Sequence, residues 1–160
     1  MKFTIELELA VPRDKAIRLL QDPTSRPKWL RGLVAHAPIS GEEGQVGTES
    51  RVVFGSGRHV MECTETITRR EAVDLADVPA ETVVHFEREI VARGMWSAAR
   101  EHLSEAGGRR TNWVSENEYR FADQMRLLAP LIRGSFVKQT RQHMEDFKAF
   151  AERCTDVRDS

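Results

Sequence analysis

Alternation of apolar and polar residues runs through most of the chain and restricts its fold more than any other pattern. In the opening segment Phe3, Ile5, Leu7 and Leu9 would share one face of a strand, with polar residues between them. Six further segments show the same period of two, which predicts strands over Leu33–Ile39, Thr48–Phe54, Arg58–Arg70, Thr82–Val91, Trp96–Ser104 and Thr111–Phe121.

Helical patterns lie on either side of this run of strands. Pro12 begins a short helix, and a second one carries Trp29 and ends at Gly32. The last part of the chain is one long helical pattern with an apolar stripe at 3.6-residue spacing. Pro130 and Gly134 predict a kink or a break near its start, which could act as a gate.

The order of these elements predicts an α+β protein. Strands followed by a helix favour an antiparallel sheet of 6–7 strands that curves around the long C-terminal helix. A length of 160 residues suits one domain. We assign residues 1–154 to that domain and residues 155–160 to a frayed, polar tail.

Composition excludes several classes of function. The formal net charge is −1, which argues against a nucleic-acid partner. No apolar run is long enough to cross a membrane, and no export signal is visible, so we expect a cytoplasmic protein. The two cysteines, Cys63 and Cys154, are far apart, and none of the histidines has metal-ligand spacing. Neither a metal nor another cofactor is predicted.

The closing segment carries a resemblance to a known family. Thr111-Asn112-Trp113-Val114-Ser115-Glu116-Asn117-Glu118-Tyr119-Arg120-Phe121 is followed by Met125, Leu127-Leu128, Phe136-Val137-Lys138-Gln139-Thr140 and Asp146-Phe147-Lys148-Ala149-Phe150. Together with the order of elements, it resembles the START-like (SRPBCC) superfamily, which includes polyketide cyclase/dehydrase-like proteins. The resemblance implies a helix-grip fold with a cavity between the sheet and the long helix. Members of this superfamily bind apolar molecules, some catalyse cyclisation or dehydration, and others bind a protein partner.

Alternation also predicts a polar row inside this cavity. A turn near Gly94 would place Arg88 opposite Glu101, and a turn near Gly107 would place Glu101 opposite Ser115. Glu65 could pair with Arg88 on its other side. Because buried charges are costly unless they are paired, such a row would serve to orient a ligand. The alternative is an ordinary ion pair exposed to water near the open end of the sheet.

The candidate ligand-binding residues fall into two groups. The apolar walls would come from Met61, Phe86, Trp113, Tyr119, Leu128, Ile132 and Phe136. Polar side chains would orient the ligand, namely Glu65, Arg88, Glu101, Ser115 and Asn117. Trp29 is either a lid or a packing residue, His143 is either an acid/base or a core residue, and Cys63 is interpreted as a small buried hydrophobe. No catalytic residue is assigned.

Three functions remain open at this stage. The first is binding of a small, largely hydrophobic molecule. The second is a cyclase or dehydratase in the same cavity, with Glu65 or Glu101 as base and Arg88 stabilising an enolate. The third is a protein-binding module of the ATPase-activator type, which would use the acidic convex face of the sheet. A homodimer is also left open.

Overall fold

The structure is a computed structural model that describes residues 1–42, 44–76 and 78–153. Cys154 and the predicted tail lie outside the described residues. Seven strands and three helices follow in the order β1 (Lys2–Leu9), α1 (Arg13–Gln21), α2 (Arg26–Trp29), β2 (Leu33–Ser40), β3 (Glu49–Ser56), β4 (His59–Glu71), β5 (Val84–Ala92), β6 (Met95–Glu105), β7 (Thr111–Phe121) and α3 (Met125–Arg153).

All seven strands form one antiparallel sheet in the order β1-β7-β6-β5-β4-β3-β2. Its concave face packs on α3, and α1 and α2 contact α3 as well. The α+β class, the two short helices after the first strand and the long C-terminal helix are as predicted. β7 has the same bounds as the strand predicted from alternation.

The strand register decides which cavity residues meet. Glu101 lies opposite Ser115 on β7, as predicted. The predicted register of the other two pairs is wrong, because Arg88 lies opposite Ala99 on β6 and opposite Ile67 on β4, although its side chain still reaches Glu101 and Glu65. The β5–β6 loop has only two residues between Ala92 and Met95, one of them Gly94 at a positive φ of 73°. The register of β5 against β6 therefore differs from the predicted one by two residues, so the side chains of both strands keep their predicted faces.

The core is continuous between the sheet and the C-terminal half of α3. Leu9, Ile17, Leu103 and Phe147 are completely buried, and Phe147 contacts the rings of Trp29 and Trp113 at centroid distances of 5.1 Å. Sheet and helix therefore bury their apolar faces against each other, which is the main source of stability in a domain of this kind.

A buried arginine joins α1 to the loop between β4 and β5. Arg13 is 1% exposed, and its guanidinium donates hydrogen bonds to the carbonyls of Pro79 at 2.9 Å and Thr82 at 2.9 Å. Asp14 accepts from its Nε at 3.0 Å. The buried cation is therefore paired, and it satisfies carbonyls of a segment that lacks strand partners.

Helix α3 is continuous, so of the predicted kink or break at Pro130 the break is wrong, and the kink stays a prediction. Pro130 is the sixth helical residue and lies in exposed turns, where water can bond the carbonyl that proline leaves without a donor. These first turns have little packing, because Leu127 is 82% exposed and Leu131 80% exposed. No helix in the described part of the chain is long and apolar enough to cross a membrane.

Candidate functional site

A cavity of about 200 Å³ lies between the concave face of the sheet and α3. Its apolar wall is formed by Leu20, Trp29, Leu30, Phe54, Met61, Ile90, Met95, Ala99, Trp113, Tyr119, Phe136 and Met144. Its polar lining consists of Arg26, Cys63, Glu65, Arg88, Ser97, Glu101, Ser115, Asn117, Gln139, Thr140 and His143.

The cavity opens to solvent at one end. Met61 on β4 is 44% exposed, and Gln139 on α3 is also exposed although both line the cavity. Met61 lies toward the end of the sheet where β7 ends, because the nearby Cys63 is in line with Ala92, Met95 and Phe121 across the intervening strands. Buried side chains such as Trp29 and Trp113 close the interior.

Four charged side chains form a buried network along the polar wall. Arg26 donates two hydrogen bonds to Glu65, at 3.0 Å to Oε1 and 2.8 Å to Oε2. Arg88 lies between the carboxylates, with Nη1 at 4.0 Å from Oε2 of Glu65 and Nη2 at 3.2 Å from Oε1 of Glu101. The four side chains are between 5% and 11% exposed. Two arginines and two glutamates thus neutralise each other in a buried setting.

A tryptophan completes this network at its far end. The indole Nε1 of Trp113 donates to Oε2 of Glu101 at 2.6 Å, so each oxygen of this carboxylate has a donor. The guanidinium of Arg88 also lies 5.3 Å from the centroid of the Phe86 ring, within the range of a cation–π contact. The polar row predicted from alternation is therefore present, although diagonal contacts and not the predicted pairings hold it together.

Arg26 was missed by sequence reasoning. It is the first residue of the four-residue helix α2, which turns it toward the sheet, and it is as buried as the glutamate it binds. The charges of the predicted polar row could have indicated a second buried cation. One arginine between two buried carboxylates leaves an uncompensated negative charge, which calls for a second buried cation.

The protonation of Glu65 is fixed by the charges around it. Burial alone would raise the pKa of Glu65, but the nearby guanidinium groups of Arg26 and Arg88 outweigh it and hold that pKa below its ordinary value. Glu65 is therefore ionised at neutral pH and is a poor general base.

A second polar group lies on β7. Asn117 donates from Nδ2 to Oγ of Ser115 at 3.1 Å and to its carbonyl at 3.2 Å. The amide oxygen of Asn117 and the hydroxyl hydrogen of Ser115 are the remaining acceptor and donor of this pair. Both side chains line the cavity and are suited to orient a bound molecule.

Aromatic rings form the wall nearest the mouth. Tyr119 contacts Phe136 at a centroid distance of 4.7 Å and stacks on Phe121 at 6.2 Å. Phe136 also contacts Phe121 at 5.7 Å. These contacts join α3 to β7 and give the cavity a large apolar surface.

The structure brings most of the predicted site residues together. Nine of them line this cavity: Met61, Glu65, Arg88, Glu101, Trp113, Ser115, Asn117, Tyr119 and Phe136. Phe86 instead lines a smaller pocket on the other side of Glu65 and Arg88. Leu128 and Ile132 lie outside the cavity, because the first turns of α3 begin beyond the packed part of the sheet.

Burial shifts the pKa values of three further side chains in the cavity, and two of them, His143 and Cys63, bear on possible catalysis. Burial lowers the pKa of His143, and Asp146 opposes that shift only in part, so the imidazole is neutral at neutral pH. Burial raises the pKa of the Cys63 thiol, as do the charges of Glu65 and Glu62. Cys63 therefore lacks the thiolate character of a nucleophile.

Comparison with known proteins identifies the fold. The sequence matches no protein-family model and no curated protein. Among solved structures, Ara h 8.0201 is 15% identical with a TM-score of 0.70, over 94% of this chain and 97% of that one. The ZhuI aromatase/cyclase from Streptomyces sp. R1128 is 12% identical with a TM-score of 0.70, over 96% and 94%.

A point mutant of norcoclaurine synthase from Thalictrum flavum, in complex with a transition-state analogue, is also similar. It is 17% identical with a TM-score of 0.66, over 94% of this chain and 93% of that one. These are helix-grip proteins of the START-like superfamily. The chain therefore has the START-like helix-grip fold, as the sequence resemblance predicted.

Proposed function

We propose that this protein binds a small, largely apolar ligand in the cavity between its sheet and α3. The observation that carries the proposal is the charged network of Arg26, Glu65, Arg88 and Glu101 in the cavity wall. Replacing a buried ion pair by apolar side chains is often neutral or stabilising, so stability alone is a weak reason for four charges here. Orientation of a ligand is a stronger one.

The size of the cavity limits the ligand. A volume of about 200 Å³ is somewhat larger than the roughly 150 Å³ engineered cavity that accommodates benzene. A molecule of one or two rings, or a short acyl chain, fits this space. Aromatic walls at Trp29, Trp113 and Tyr119 favour a ring, and the Ser115–Asn117 pair favours a ligand with at least one polar oxygen.

The first experiment is mass spectrometry of the purified protein under native and then denaturing conditions. A defined mass that is lost on denaturation supports the proposal and gives the chemical class of the ligand. If no mass is lost on denaturation, binding is tested directly by titration with a fluorescent molecule.

Binding can be tested with a neutral two-ring fluorophore, 1-aminonaphthalene, and a variant that fills the cavity. Ala99 lines the cavity on β6, so Ala99→Phe places a ring inside it. Ala37→Phe adds the same ring to an exposed strand position and is the matched control. We expect saturable binding to the wild type and to Ala37→Phe, and at least tenfold weaker binding to Ala99→Phe. Equal binding by all three proteins would contradict the proposal.

Catalysis in the same cavity is the second candidate function. The observation that favours it is the neutral imidazole of His143, which lines the cavity and is available to accept a proton. His143 is also a better candidate for the base than Glu65, because the pKa of Glu65 lies below its ordinary value. With an identified ligand, His143→Gln should abolish turnover and leave binding within a few-fold of the wild type. Full turnover by this variant would remove His143 from consideration.

A further inference from the structure

The first turns of α3 present apolar side chains to solvent. Leu127 and Leu131 are one helical turn apart on the same face, and both are at least 80% exposed. Leu128 and Met125 beside them are 45% and 42% exposed. We call Met125, Arg126, Leu127, Leu128, Leu131 and Arg133 the helix-start surface. A cluster of large apolar side chains with so little packing usually marks an interaction site.

The helix that carries this surface is basic in its first half. From Met125 to Met144 the helix contains four basic residues and no acidic one, although the whole chain has a net charge of −1. Arg126 and Arg133 belong to the surface itself. Nη2 of Arg133 donates to the carbonyl of Lys2 at 3.3 Å, and the ammonium group of Lys2 lies 3.9 Å from the carboxylate of Glu118. The acidic residues of α3 lie in its other half, where Asp146 is paired with Arg31.

We propose that the helix-start surface docks onto the surface of an anionic lipid bilayer. Exposed leucines would insert among the acyl chains near the headgroups, and the flanking arginines would bind anionic headgroups. A second copy of the chain is a poorer occupant. A symmetric dimer through this surface would bring two sets of cations together across a small apolar contact.

The helix-start surface and the mouth of the cavity lie at the same end of the domain. Phe136 lies on the same helix just beyond the surface and lines the cavity, whose mouth is at this end of the sheet. Docking would bring the bilayer to the end of the domain that holds this mouth, and so shorten the path of an apolar ligand through water. This last step rests on the proposed ligand binding, whereas the docking itself does not.

Co-sedimentation with vesicles tests the docking. Vesicles of phosphatidylcholine alone are compared with vesicles that contain one third phosphatidylserine, at low and at high salt. We expect the wild type to sediment only with the anionic vesicles, and high salt to release it. Arg126→Gln/Arg133→Gln should weaken binding roughly 30-fold, and Leu127→Ser/Leu131→Ser at least tenfold.

Matched controls lie at the opposite end of the sheet. Arg109→Gln/Arg110→Gln removes two charges from the β6–β7 turn, and Val46→Ser/Val73→Ser removes two exposed apolar side chains. Both controls should sediment like the wild type. The substituted side chains are exposed in all four variants, and thermal denaturation followed by circular dichroism verifies that each is folded.

Three results would overturn the docking. They are no sedimentation of the wild type with anionic vesicles, equal loss of binding in the controls, and a dimer in analytical ultracentrifugation that Leu127→Ser/Leu131→Ser dissociates. The last would show that a second copy covers this surface. Since the vesicles contain no ligand for the cavity, each result is independent of whether the proposed ligand binding is correct.

Discussion

Removing Arg26 from the buried network should destabilise the protein strongly. In Arg26→Met the Glu65 carboxylate loses two charge-assisted hydrogen bonds, at 3.0 and 2.8 Å, and keeps only Arg88 at 4.0 Å. Breaking a buried pair by removing one partner costs about 3–5 kcal/mol, because the remaining charge is left uncompensated. In a domain of this size that lowers the Tm by roughly 10 °C.

Urea denaturation at pH 7 measures this loss, and a second ion pair provides the control. Arg51 binds Glu62 through two hydrogen bonds on the neighbouring strands, but both side chains are about half exposed or more. Arg51→Met should therefore leave the free energy of unfolding almost unchanged. Arg26→Met/Glu65→Met should recover much of the stability that Arg26→Met loses, since both charges are then absent.

An Arg26→Met variant that is no less stable than Arg51→Met would contradict the expected cost of an uncompensated charge at Glu65. That result would mean that water reaches the Arg26–Glu65 pair in solution and that the network is not buried. A double variant less stable than Arg26→Met alone would also contradict it, because the cost would then come from lost packing and not from an unpaired charge.

Three further predictions follow from the contacts described above. Arg13→Met leaves the carbonyls of the β4–β5 loop without donors, so limited proteolysis should cut this loop much faster than in the wild type. Trp113→Phe removes the donor to Oε2 of Glu101 and should lower the free energy of unfolding by about 1–3 kcal/mol, measured with urea. The folded-state pKa of Glu65 lies below its unfolded value of about 4.3, so its stabilisation is present above that pH and is lost as the pH falls through the folded pKa. In urea titrations from neutral to acidic pH, Glu65→Gln should lack this part of the acid destabilisation, and an unchanged pH profile would contradict the assignment.

The fold could be predicted because periodicity reports which face of a strand is buried. In β6 the inward positions Ser97, Glu101 and Leu103 are nearly or completely buried, although two of them are polar. Trp96, an obvious core candidate by type, instead lies on the outer face with Arg120 over its ring at 4.5 Å. Alternation over a whole strand was therefore a better guide than the hydrophobicity of any single residue.

Register and packing partners were harder to predict, for two physical reasons. A strand pair keeps its faces when the register shifts by two residues, so the pattern could not distinguish Arg88 opposite Glu101 from Arg88 opposite Ala99. Because both side chains are long, Arg88 and Glu101 still contact each other diagonally across the two strands. Arg26 comes from a helix of four residues, too short to show a period.

The start of α3 was misjudged for a different reason. Leu128 and Ile132 continue the apolar pattern of the helix and were therefore predicted in the cavity. Apolar periodicity shows which side of a helix could be buried, but it does not show where the sheet that would cover it ends. Leu127 and Leu131 are exposed because the sheet does not extend over them, and this exposure supports the proposed lipid docking.

Under the proposed ligand binding, the charged network would also limit which molecules the cavity accepts. Arg26, Glu65, Arg88 and Glu101 have formal charges that cancel, and each is held by its neighbours. An anionic or cationic guest would lose its hydration on entry and find no unopposed charge to replace it. A neutral guest with an oxygen loses far less. The proposed site would thus discriminate against ionised molecules without any side chain that repels them directly, and a change in the protonation of a ligand would be enough to release it.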